Sequence, residues 1–96
     1  MLFHVKHTHS WDACPYHDAD RAKETIVKAI AGITESDVEL VGAYADAPAH
    51  TIFLVLEATS ATQIEEALAP MIDVGWAETR PVVELGEVMS RVTEAD

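Results

Sequence analysis

Residues 52–56, IFLVL, are apolar at five successive positions within the stretch HTIFLVLEA at 50–58. So short a run, with polar residues at both ends, reads as a strand covered on both faces. That requirement constrains the rest of the chain, which must bring apolar material to two sides of one strand. Its 96 residues suffice for a single domain with one modest core, spanning 1–96. About half of them are apolar, so the composition is that of a folded chain.

The flanking segments supply the remaining elements. LFHVKHTH at 2–9 alternates as a strand, with Phe3, Val5, His7 and His9 on one face and Leu2, His4, Lys6 and Thr8 on the other. SWDACPYH at 10–17 has no regular period and contains Pro15, so it reads as a loop. Asp18 or Asp20 can cap the helix that follows. Ala22, Ile26, Ala29, Ile30 and Ile33 make one face of that helix, and Gly32 offers a stop.

DVELVGAYA at 37–45 reads as a second strand, with Val38, Leu40 and Tyr44 opposite Val41, Ala43 and Ala45. Asp46 to Ala49 is a turn into the third strand. Ser60 and Gln63 have capping-box spacing, and Ile64, Ala67, Leu68 and Met71 form the next helix face, with Pro70 near its end. A last strand falls within GWAETRPVVEL at 75–85, irregular or at an edge because of Pro81. Residues 86–96 are expected to be a short helical turn and a frayed tail.

The order is β-α-β-β-α-β. That is an α+β, ferredoxin-like unit: a four-stranded antiparallel sheet, strand order 4-1-3-2, with two helices on one face. The helices cover one face only, yet the third strand is apolar on both. A second copy of the chain is the expected cover, so the sequence predicts a homodimer. Each Val, Leu or Ile so buried would contribute about 1.5–3 kcal/mol.

The opening MLFHVK, together with the length and element order, resembles the dimeric α/β-barrel superfamily, and within it these residues are similar to muconolactone isomerase. The resemblance implies a small dimeric barrel whose cavity holds an organic ligand, in some members a haem or a metal. After Lys6 the stretch HTHSWDACPYH departs from the isomerase pattern, so no isomerase residue or substrate is carried over.

Charge narrows the function classes. Six Lys and Arg against seventeen Asp and Glu give −11, which disfavours nucleic acid and anionic membranes as partners. No stretch is long and apolar enough to span a bilayer or serve as a signal peptide, so a cytoplasmic location is expected. The single cysteine, Cys14, allows no internal disulfide, and four scattered glycines make no nucleotide-binding loop.

The histidines are the most informative feature. Four of the five, His4, His7, His9 and His17, lie in the first 17 residues beside Cys14. In this topology the end of strand 1 lies beside the start of strand 3, which brings His50 to the same rim. His7, His9, Cys14 and His17 are candidate ligands for zinc, copper or iron, with Asp12 or Asp18 behind them. His50 is an additional ligand or a catalytic group, and His4, on the opposite strand face, is a separate catalytic candidate. Trp11, Tyr16, Tyr44 and Trp76 can wall a pocket for a small molecule, and Arg80 can hold a carboxylate.

Each of these readings has a simpler counterpart. The His-x-His pair can be a solvated strand end, or His7 a core histidine bonded to a carbonyl. Cys14 can be inert, or a nucleophile activated by His17 or His50. Two rival functions also stand: a metal-free isomerase or lyase using histidine acid–base chemistry, and an interaction module whose acidic surface meets a basic partner.

Overall fold

The computed structural model describes residues 1–10, 18–72 and 75–94. Strands β1 (Leu2–Thr8), β2 (Glu39–Asp46), β3 (Thr51–Glu57) and β4 (Trp76–Val82) form one antiparallel sheet in the order β2-β3-β1-β4. Between β1 and β2 lie α1 (Ala19–Ala22), a π-helical segment (Lys23–Val27) and α2 (Lys28–Glu35). Between β3 and β4 lie α3 (Ala61–Ala67) and α4 (Ala69–Ile72), and α5 (Leu85–Glu94) follows β4. This is the ferredoxin-like α+β arrangement expected from the element order, with β1 and β3 central.

The core lies between the helices and one sheet face. Phe3 and Val5 of β1 and Leu54 and Leu56 of β3 are buried there. They meet Ala29 and Ile33 of α2, Ile64 of α3, and Leu68 and Met71 beyond it. β1 alternates as its sequence requires, its odd residues inward and its even residues toward the uncovered face.

Local signals explain the helix starts. Asp18 Oδ1 accepts from the backbone N–H groups of Asp20 and Arg21, both at 3.1 Å. Ser60 Oγ accepts from Gln63 N–H at 3.4 Å. The Gln63 side chain returns to Thr59 N–H at 3.0 Å, one residue earlier than in a standard capping box.

Four local expectations are corrected. Gly32 does not end its helix. It lies inside α2, where an added Cβ would sit 3.6 Å from the Ala67 carbonyl oxygen, so it faces the second helix pair. In β2 a bulge at Val41 lets Leu40 oppose Leu56 while Gly42 opposes Val55. The extra residue moves Ala43 to the face of Leu40 and Tyr44 to the open face. The π-helical segment shifts the phase of the first helix, so Thr25 is buried while Ile26 is only half-buried. The C-terminal segment is a ten-residue helix, not a single turn.

Gly75 precedes β4 where the chain crosses the end of β1. A Cβ there would overlap the Thr8 carbonyl oxygen and lie 3.0 Å from His9 Cα. Gly75→Ala is therefore expected to cost about 1–3 kcal/mol. Gly86→Ala, where nothing lies within 4 Å, should be neutral or gain up to about 1 kcal/mol. Urea denaturation of the two variants checks both values.

Candidate functional site

Because β1 alternates, His7 and His9 continue the inward row begun by Phe3 and Val5. The core residues end there and imidazoles take over. His7 is wholly buried and His9 is 5% exposed. His50 comes from the turn that opens β3. Its carbonyl oxygen accepts from His9 N–H at 3.1 Å, which carries the β1–β3 ladder past the strand ends.

The three rings form one cluster. The His7 and His9 centroids are 5.5 Å apart, and those of His9 and His50 are 5.6 Å apart, edge to face. His7 Nε2 lies 2.9 Å from the Met71 carbonyl oxygen in α4. A carbonyl only accepts, so Nε2 carries the proton and Nδ1 keeps its lone pair. That Nδ1, both ring nitrogens of His9 and Nδ1 of His50 are buried with no hydrogen-bond partner among the described residues. An unsatisfied buried polar atom costs about 1–3 kcal/mol, so these four call for partners beyond the described residues or for a bound group.

Burial disfavours charge on His7 and His9. It lowers the His7 pKa below its usual 6.5, partly opposed by the bond to Met71. His9 is lowered by burial first, then by the proximity of His7 and His50. Both are accordingly neutral at pH 7, with lone pairs free for a proton or an electrophile.

His50 is held in an unusual backbone conformation. Its φ of 52° makes it a non-glycine residue in the left-handed region. The turn that sets this up is bonded from Ala49 N–H to Asp46 O at 3.2 Å and from His50 N–H to Ala47 O at 3.0 Å. Asp46 Oδ1 also accepts from Ala49 N–H at 3.2 Å.

The other sequence candidates lie elsewhere. His4 is on the open face, its ring 5.9 Å from that of Phe53, so it does not share a site with His50. With Lys6, Glu78 and Arg80 it lines a shallow depression of about 200 Å³. Arg80 pairs with Glu78 at 3.3 Å, both well exposed. Trp76 and Tyr44 are exposed, and Trp76 stands opposite Thr8 near the histidine end of β1. Cys14, His17, Trp11, Asp12 and Tyr16 lie outside the described residues. Among the described residues no set of three or more His, Cys, Asp or Glu side chains is arranged to hold a metal ion as it stands. No helix among them is long and apolar enough to cross a membrane. Sequence reasoning offered a carbonyl partner for a buried His7, as found, but not that Met71 supplies it, because no sequence pattern marks a backbone oxygen contributed by a short helix.

Residues 1–96 match the family described as Domain of unknown function (DUF3303). The chain belongs to the DUF3303 family. No curated protein matches it significantly. Among solved structures, SCO4226 from Streptomyces coelicolor A3(2) is similar at 22% identity and a TM-score of 0.57. The alignment covers 88% of this chain and 98% of that one. Atu4242 from Agrobacterium tumefaciens aligns at 11% identity and a TM-score of 0.49, over 88% of this chain and 96% of that one. The first likeness supports the fold of this DUF3303 chain and nothing beyond it.

Two expectations follow. The unfolded state takes up protons below about pH 6.5, while folded His7 and His9 resist them. Their contribution is thus lost as pH falls from about 6.5 through their lowered folded values, and the loss then levels off. Urea midpoints measured between pH 7.5 and 5 should fall more steeply for the parent than for a His7→Gln/His9→Gln variant. Separately, His50→Gly should equal or exceed the parent in stability by up to about 1 kcal/mol, whereas His50→Val should lose roughly 1–2 kcal/mol, readable by thermal melts.

Proposed function

We propose that this DUF3303 protein binds a transition metal at the end of β1, through His7, His9 and His50, and that Cys14 and His17 of the following segment complete the ligand set. The carrying observation is His9, whose two ring nitrogens are both buried and, among the described residues, unpartnered between two further imidazoles. An ion would take one nitrogen from each ring, leaving the second His9 nitrogen to carry its proton toward a further acceptor.

Three features support this reading. His7 donates one ring N–H to the Met71 carbonyl and keeps the other nitrogen free, the usual posture of a metal-ligating histidine. Two imidazoles on one tetrahedral ion have centroids roughly 5 Å apart, given Zn–N bonds of about 2.0–2.1 Å. The observed separations are 5.5 and 5.6 Å, so each neighbouring pair lies near the spacing that one ion would impose on it. The lowered pKa values keep His7 and His9 neutral, as ligation requires. Zinc, copper and iron all accept imidazole, with thiolate favouring the softer ions.

The protein would act as a homodimer, a second copy covering the open sheet face, on a small molecule reaching the ion. A reduced thiol at Cys14 accords with a cytoplasmic location.

A second reading rests on His4. Its place beside Lys6, Glu78 and Arg80 in the open-face depression suits metal-free acid–base chemistry on a small anion. The likeness of MLFHVK to muconolactone isomerase points the same way. That chemistry would survive chelation.

Elemental analysis of untagged protein, after exposure to zinc and desalting, is expected to give about one ion per chain. His9→Ala should weaken binding at least about tenfold. Full occupancy in His7→Ala/His9→Ala, or no metal after loading with zinc, copper and iron in turn, overturns the assignment.

A further inference from the structure

The C-terminal helix is built for contact but makes little of it. Leu85, Val88, Met89 and Val92 recur at i, i+3, i+4 and i+7, one stripe of an α-helix. Glu87 and Arg91 pair at 2.8 Å on the opposite side. Most of the stripe faces solvent: Leu85 is 74% exposed, Met89 51% and Val92 59%, while Val88 is half-buried. Among the described residues no strand or other helix makes more than slight contact with α5. A ten-residue helix is marginal on its own, so its persistence calls for a surface to lie against.

The same chain carries an uncovered sheet face that is apolar along β2 and β3 and at both ends of β4, with His4, Lys6, Glu78 and Arg80 between them. The open sheet face presents Val41, Tyr44 and Trp76, more than half exposed, around half-buried Phe53 and Val55. Gly42 has no side chain, and the Tyr44 ring lies over it, close enough that an added Cβ would be 3.0 Å away. The molecule is correspondingly extended. Its radius of gyration is 15.2 Å, with extents of 55 × 29 × 16 Å, against about 12.5 Å for a compact chain of this length.

We propose that α5 is an exchanged arm: in a homodimer, each copy lays the Leu85–Val92 stripe on the partner's open sheet face. The proposal rests on the homodimer reading and adds how the two copies hold each other. A second copy is favoured as occupant because one two-fold operation covers both surfaces at once. An unrelated partner would have to match a sheet face and a projecting helix separately. The area is also right. The exposed parts of Val41, Tyr44, Trp76, Val82, Leu85, Met89 and Val92 offer on the order of 800 Å², about what a stable interface takes from each partner.

Sedimentation equilibrium at micromolar concentration tests the arm. The parent is expected at twice the 10.5 kDa chain mass. Met89→Glu/Val92→Glu should dissociate at least about tenfold more readily while keeping the parent's sheet signal in circular dichroism. A milder Leu85→Ala/Met89→Ala variant should move the same way. A monomeric parent overturns both the homodimer and the arm. A dimeric parent whose α5 variants associate as tightly overturns the arm alone and leaves the sheet-to-sheet dimer. Variants that lose stability without any change in association place α5 on its own chain, and overturn the exchange.

Discussion

The two-residue period of β1 is the constraint from which the rest of the site follows. Once Phe3 and Val5 are committed to the core, His7 and His9 have no choice of side. A one-residue slip would expose both, but it would also turn Phe3 and Val5 out to water. The apolar half of the strand thus holds the imidazole half in a place that imidazoles would not select. Pairing on both flanks, with β3 and β4, removes the freedom to relax by bending away.

Several local compromises gather at that end of the sheet. His50 sits in a left-handed turn, and Gly75 lets the entry to β4 press against Thr8 and His9. Ring nitrogens without a partner among the described residues lie between them. At the other end Leu54, Leu56, Ile33 and Ile64 are packed with no such compromise. The division suits a small domain. One end supplies the cohesion, and the other carries groups whose arrangement costs stability.

Much of this was legible because the signals were local. The capping residues Asp18 and Ser60, the alternation of β1 and the doubly apolar β3 are each read from a few neighbours. The meeting of His9 with His50 came from topology: once the element order is known, an antiparallel β1–β3 pair must bring those positions together. What escaped were single-residue slips of phase. The Val41 bulge and the π-helical segment each add one residue to a period. Neither has a compositional mark, so Tyr44 was assigned to the wrong face and Ile26, rather than Thr25, to the buried stripe. Gly32 misled for a related reason: glycine ends helices and also lets helices approach, and only the neighbour decides which. The strain at His50 was invisible because the residue is neither glycine nor asparagine.

The π-helical segment has a consequence for how this helix tolerates change in length. A π turn holds one residue more than an α turn, so the stretch Lys23–Val27 behaves as a stored insertion. Removing one residue there would let the whole run from Ala19 to Glu35 wind as regular α-helix, with Ala29 and Ile33 still seated on the sheet. The same deletion a turn later would instead rotate Ala29 away from its partners by about 100°. Length variation in this helix is therefore absorbed at one address, and natural relatives with a shorter helix are expected to have lost their residue there.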